Sequence, residues 1–222
     1  MSPLATRDAV IVFAKAPMPG AVKTRLIPVL GPEGAAALHG RLVERTVATA
    51  SVAARDTVEL HVAPEDDFLR CCAARYNAAL VPQCGLDLGD RMHHAFERAL
   101  LRGRCSAVVL IGSDCPALTA LHIRCAFEAL HDGYDAVLGP AEDGGYVLLG
   151  LTRTDRRMFE GIAWGTSEVL DQTRARLRGL GWRWRELETL WDVDTPADWA
   201  RLKQSQLMGP VARLCGTGGL SA

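Results

Sequence analysis

Short apolar runs alternate with helical patterns along most of the chain, and this alternation limits the fold more than any other feature. Runs at 9–13, 57–62, 79–82, 107–111, 135–139, 146–150 and 183–187 read as strands. Between them, apolar residues recur at helical spacing. The first such stretch runs from about Glu33 to Val52, with Leu38, Leu42, Val43, Val47 and Ala50 on one stripe. Others are expected from about Glu65 to Tyr76, from near Gly89, after Thr119 and after Thr166. A last helix is signalled by Thr195 as N-cap, Pro196 at its first position and Asp198 three residues beyond the cap. Strands that alternate with helices predict an α/β fold: a mostly parallel central sheet flanked by helices on both faces. No linker or repeat interrupts the pattern. One domain over 1–206 is expected, followed by a C-terminal tail over 207–222 rich in Gly and small residues.

In a sheet of this kind, ligands bind at the carboxyl ends of the strands. Four segments place chemistry there. The loop after the first strand run carries Lys15, Lys23 and Arg25, with Pro17, Pro19 and Gly20 fixing its shape. A rigid basic loop at a strand end suits a polyphosphate, although it is neither a Walker loop nor a dinucleotide fingerprint. The run Val108–Ile111 ends in Gly112-Ser113-Asp114-Cys115-Pro116, so Asp114 falls at a strand end on the same edge. A carboxylate beside a phosphate needs a cation between them, and Mg²⁺ binds through one or two carboxylates, phosphates and water. A turn-capping role for Asp114 is the structural alternative.

The third segment, Gly139-Pro140-Ala141-Glu142-Asp143-Gly144-Gly145-Tyr146, reads as an Asp-Gly hairpin turn. It also offers bare backbone to a second substrate. In the fourth, Trp191-Asp192-Val193-Asp194, an extended chain puts both acids on one face with Val193 opposite. Asp194, with Asp192 next in order, could complete a metal site begun by Asp114; service to the last helix N-terminus is the alternative for both. Trp164 and Thr166 are candidates to line an acceptor pocket, and Gly89-Asp90-Arg91 opens a helix that could meet the nucleotide.

The formal net charge of −1 argues against a nucleic-acid or anionic-membrane partner. No run of apolar residues is long enough to span a bilayer. Seven cysteines, an odd number, occur without an export signal, which points to reduced thiols and a cytoplasmic location. They are expected to form no disulfide.

The ordered set of motifs carries a resemblance. Ala-Lys-x-Pro-x-Pro-Gly-x-Val-Lys-Thr-Arg-Leu at 14–26, Gly-Ser-Asp-Cys-Pro at 112–116, Gly-Pro-x-x-Asp-Gly-Gly-Tyr at 139–146, Trp-Gly-Thr at 164–166 and Asp-Val-Asp-Thr-Pro-x-Asp at 192–198 resemble a bacterial family of GT-A-like transferases. That family is often labelled selenodomain-associated transferase or glycosyltransferase. Its layout is similar to that of 2-phospho-lactate guanylyltransferase and the molybdenum-cofactor nucleotidyltransferases. The resemblance spans roughly residues 8–204 and implies a nucleotide-diphospho-sugar transferase fold of the GT-A, Rossmann-like type. Pro19-Gly20 stands where the sugar-nucleotidyltransferases carry a Gly-Gly pair, and Asp114 has no Asp-x-Asp partner.

By that likeness the nucleotide-binding set is Lys15, Gly20, Lys23, Thr24 and Arg25, and Asp114 and Asp194 hold Mg²⁺, with Mn²⁺ as the alternative. Asp143, Gly144, Gly145, Trp164 and Thr166 face the acceptor. The reaction expected first is transfer of a nucleoside monophosphate from a nucleoside triphosphate to a small phosphorylated acceptor, with Lys23, Arg25 and Asp143 as catalytic groups. A glycosyltransferase using a nucleotide-sugar is the runner-up. A nucleotide-binding module without turnover is the alternative of another class.

Overall fold

The computed structural model describes residues 7–102, 105–205, 207 and 208. Its strands are β1 (Arg7–Ala14), β2 (Thr57–Val62), β3 (Ala79–Pro82), β4 (Cys105–Gly112), β5 (Ala136–Pro140), β6 (Tyr146–Leu151) and β7 (Trp184–Glu186). They form one sheet of order β3-β2-β1-β4-β6-β5-β7. The pairs β1–β2, β1–β4, β2–β3 and β5–β7 are parallel, whereas β6 runs antiparallel to both β4 and β5. Every strand but β6 therefore delivers its carboxyl end to the same edge of the sheet.

Period-two alternation sorts the strand side chains between two layers. Val10 and Val12 of β1, with Val109 and Ile111 of β4, face one layer. There they meet Val43 and Val47 of α1 (Ile27–Ala53), Leu69 of α2 (Asp67–Arg75), and Ile123 and Phe127 of α4 (Ala120–His131). Ile11, Phe13, Val108 and Leu110 face the other layer. They pack on Met92 and Phe96 of α3 (Leu88–Glu97) and on Leu170 and Leu177 of α5 (Val169–Gly179). Each such buried side chain contributes about 1.5–3 kcal/mol. Burial on both faces explains why β1 and β4 read as unbroken apolar runs rather than as alternating ones.

A third, smaller cluster fixes the site. Leu26 and Leu42 are buried with Trp191, Val193 and Leu202, the last from α6 (Pro196–Gln204). Leu26 pins the end of the basic loop, and Val193 pins the acidic segment between Asp192 and Asp194. Two helix starts differ from the sequence reading. α1 begins at Ile27 and breaks at Gly31 (φ 69°), and Pro32 restarts it beside the expected start at Glu33. α5 begins at Val169 rather than directly after Thr166, because Thr166 closes its own turn by donating from Oγ1 to the Ala163 carbonyl. Of the expected tail, only Leu207 and Met208 are described, and both pack on the third cluster; the rest of 207–222 lies outside the described residues. Cys72, Cys84, Cys115 and Cys125 are free thiols, while Cys215 is outside the described residues. No described helix is long and apolar enough to cross a membrane.

Candidate active site

The loops after β1, β4, β5 and β7 meet over the shared sheet edge and enclose a cleft of about 680 Å³. That volume accommodates a nucleotide or a molecule of similar size. At its centre, Lys23 Nζ lies 2.7 Å from Asp114 Oδ1 and 2.8 Å from Asp194 Oδ1. The two acids, 80 positions apart, do converge on a common point, and the Lys23 ammonium occupies it. Only 3% of the Lys23 side chain is exposed. Burial works against its charge, but the two carboxylates outweigh this and raise its pKa.

Asp114 turns its Oδ1 inward to Lys23 and to the buried ring of His39, whose Nδ1 is 3.6 Å away. That oxygen is sealed from solvent while 42% of the side chain is open, so the outer oxygen faces the cleft. Burial opposes ionisation of Asp114, yet Lys23 and His39 hold the carboxyl well below the usual carboxylate range. Asp194 likewise puts Oδ1 on Lys23, with 47% of its side chain open. Main-chain bonds set this geometry. Val193 N–H donates to the Asp114 carbonyl at 3.0 Å, which ties the β4 end to the acidic segment. The capping role considered for Asp194 belongs to Thr195 and Asp198: the Asp198 carboxylate accepts from the N–H groups of Asp194 and Thr195.

Asp192 and Asp194 both line the cleft, with Val193 fully buried between them. The Asp192 carboxyl is pushed up to about 7 by burial and by the charges of Asp114 and Asp143. Asp143 is exposed on the β5–β6 turn and accepts the Gly145 N–H at 2.9 Å. The hairpin expected at 139–146 therefore forms and also carries Asp143 and Gly145 to the cleft.

Three cations on the rim lack a carboxylate partner among the described residues: Lys15, Arg25 and Arg91. Arg91, at the start of α3, only leans on the Gly85 carbonyl and Gln83 Oε1, at 3.4 and 3.5 Å. Thr24, Trp164 and Thr166 also line the cleft. Trp164 closes against α3 so tightly that a Cβ on Gly89 would lie 2.7 Å from its Nε1.

Two glycines in the expected set stand elsewhere. Gly20 (φ 79°) shapes the basic loop and is not among the lining residues. Gly144 (φ 87°) abuts the Ser167 backbone, where a Cβ would fall 2.2 Å from the Ser167 carbonyl oxygen. Its freedom serves the docking of two loops. Gly144→Ala should lower stability by about 2 kcal/mol through clash and backbone strain. Chemical denaturation checks this, and an unchanged midpoint contradicts it. His39 and Gln83 were not singled out by motif. Gln83 donates to the His61 carbonyl at 2.9 Å, and only the fold shows that it reaches the cleft.

Among the described residues, no three His, Cys, Asp or Glu side chains form a closed metal cage. The outer oxygens of Asp114 and Asp194 instead offer two hard donors facing open space. That donor set fits a divalent ion such as Mg²⁺ or Mn²⁺, which keeps its waters and takes remaining ligands from phosphates.

A basic loop after the first strand, acids after β4, β5 and β7, and one reversed strand in a parallel sheet make up the GT-A-like architecture of the nucleotide-diphospho-sugar transferases. The same fold is found in a protein of Desulfovibrio desulfuricans G20 assigned to those transferases, at 33% identity and a TM-score of 0.82, over 90% of this chain and 88% of that one. The chain belongs to the family described as uncharacterized protein conserved in bacteria (DUF2064), whose profile matches residues 45–166. Two more distant structures share the fold. One is CMP:2-keto-3-deoxy-manno-octonic acid synthetase complexed with CTP (9% identity, TM-score 0.57, covering 89% and 97% of the two chains). The other is glucosyl-3-phosphoglycerate synthase of Mycobacterium tuberculosis with Mn²⁺, UDP and glucosyl-3-phosphoglycerate (12%, 0.56, 89% and 75%). No curated protein matches the chain. The structures that share its fold thus include nucleotidyl- and glycosyltransferases.

Proposed function

We propose that the protein is a divalent-metal-dependent nucleotidyltransferase. One observation carries this reading: beyond the cation between Asp114 and Asp194, three further cations, Lys15, Arg25 and Arg91, line the cleft without a carboxylate partner among the described residues. A triphosphate carries about four negative charges, and such a surplus of unneutralised cations suits it better than a diphosphate. In the reaction, a phosphate oxygen of the acceptor forms a bond to the donor's α-phosphorus. The bond from that phosphorus to the bridging oxygen breaks, and pyrophosphate leaves with the electron pair. Lys15, Arg25 and Arg91 bind the leaving phosphates and stabilise their developing charge. Asp143, Gly145, Trp164 and Thr166 border the space left for the acceptor. Asp114 and Asp194 would hold Mg²⁺ or Mn²⁺, which when bound neutralises phosphate charge. The Mn²⁺ and CTP present in two structures of this fold support that choice of ligands.

A thermal-shift series with Mn²⁺ and the four common nucleoside triphosphates, set against nucleotide-sugars, tests the donor. The correct triphosphate at a hundred times its Kd should stabilise the protein by about 2.7 kcal/mol. Arg25→Ala and Arg91→Ala should each weaken its binding about tenfold, the loss of one charge-assisted hydrogen bond. Stabilisation by a nucleotide-sugar and by no triphosphate would instead select glycosyl transfer, the second reading, which the name of the 33%-identical relative favours.

A further inference from the structure

We propose that Lys23 is a displaceable resident cation. It holds the place between Asp114 and Asp194 until a divalent ion takes those carboxylates, and it then turns into the cleft to join Lys15 and Arg25 on the substrate's phosphates. This rests on the metal-dependent reading above and deepens it.

The contacts argue for replacement rather than for a permanent clamp. Lys23 is buried, and its ammonium touches one oxygen of each acid. The acids do not need it for their positions. Asp114 is anchored by the β4 end and by the Val193 N–H, and Asp194 by the Asp198 carboxylate and the buried Val193. A divalent ion on the outer oxygens of the same two carboxylates, at about 2.1 Å from each, would lie only a carboxylate's width from the ammonium on their inner oxygens. Like charges at that separation repel strongly in a low-dielectric site.

Lys23 is also built to leave. Its backbone sits in the left-handed region (φ 47°), a conformation that a non-glycine residue holds at a cost. Lys23 itself lines the cleft, beside Thr24 and Arg25, so its ammonium borders the space it would turn into. A lysine makes point contacts through a flexible chain, whereas an arginine would grip the carboxylates in a planar fork. The consequence is a two-ligand switch: the metal frees a phosphate-binding cation, and phosphate binding draws that cation away from the carboxylates that hold the metal. Metal and polyphosphate then strengthen each other's binding.

The chain has three lysines, Lys15, Lys23 and Lys203, so amine acetylation read by mass spectrometry follows each one in the wild-type protein. Saturating Mn²⁺ should raise Lys23 labelling several-fold relative to the exposed Lys15 and Lys203. Inorganic pyrophosphate added with Mn²⁺ should then protect Lys23 and Lys15 together, leaving Lys203 unchanged. In calorimetry, Lys23→Met should bind Mn²⁺ alone at least tenfold more tightly than wild type. If Mn²⁺ binds but Lys23 labelling stays flat or falls, or if Lys23→Met binds Mn²⁺ equally or more weakly, the displacement is wrong and the metal reading stands. If neither protein takes up Mn²⁺ with or without pyrophosphate, both fall.

Discussion

Asp114→Ala should lower the unfolding free energy by about 3 kcal/mol, and adding Lys23→Met should restore most of that loss. The first change leaves the Lys23 ammonium buried with only Asp194 as a counter-charge. Breaking a buried pair from one side costs about 3–5 kcal/mol because the stranded charge keeps its desolvation penalty. The lower figure applies here, since the outer half of Asp114 stays in solvent. The second change removes the stranded charge. Urea denaturation of both single variants and the double variant gives the coupling directly. A loss under 1 kcal/mol for Asp114→Ala, typical of an exposed pair, would contradict the sealed geometry. Replacements of the two acids report on the metal. Asp114→Ala and Asp194→Ala should each abolish the Mn²⁺-dependent part of nucleotide binding, and the double replacement should add little, because the two acids act as one unit.

In metal-free protein, Asp192→Asn should gain stability over wild type as pH rises, by about 3 kcal/mol between pH 5 and pH 8. The native carboxyl titrates near 7, chiefly because it is buried and also because it faces Asp114 and Asp143. The unfolded one titrates near 4. Between those values the native state holds a proton that the unfolded chain has released. Stability therefore falls through this window in wild type, at about 1.4 kcal/mol per pH unit. Asparagine has no proton to lose, so its advantage grows over the two units from 5 to 7 and then levels off. Parallel denaturation curves at the two pH values would place the Asp192 carboxylate in solvent and ionised throughout.

The strands were legible because burial on both sheet faces leaves plain apolar runs, and all seven expected runs form strands. Their mutual order was not. Nothing in Tyr146–Leu151 announces that it turns back and inserts between β4 and β5, since a strand buried on both faces reads the same in either direction. The reversal follows from the tight turn at Asp143-Gly144, where the Asp-Gly pair signals the hairpin that forms. Site residues on strand ends were found for a similar reason: Asp114 directly follows a run, and parallel strands bring such ends together. Pairings across the cleft were hidden. The loop alone points Lys23 at phosphate, yet its partners lie 91 and 171 positions away. His39 sits inside a helix stripe, where it looks like any polar residue, and only packing turns it toward Asp114. Gly144 shows the limit of composition: two adjacent glycines signal close approach, but not whether a ligand or the Ser167 backbone makes it.

The order of the strands also decides how this sheet meets other sheets. Its longest and most apolar members, β1 and β4, lie in the interior, shielded on both sides by neighbours. The two borders are the shortest: β3 has four residues and ends on Pro82, and β7 has three, including Arg185 and Glu186. Unpaired borders invite strand-by-strand fusion with another chain unless they are brief, charged or broken by proline. Both borders here carry such guards. Growth by edge-to-edge pairing is thereby blocked in the native protein, and self-association, where it occurs, is left to helix faces and loops.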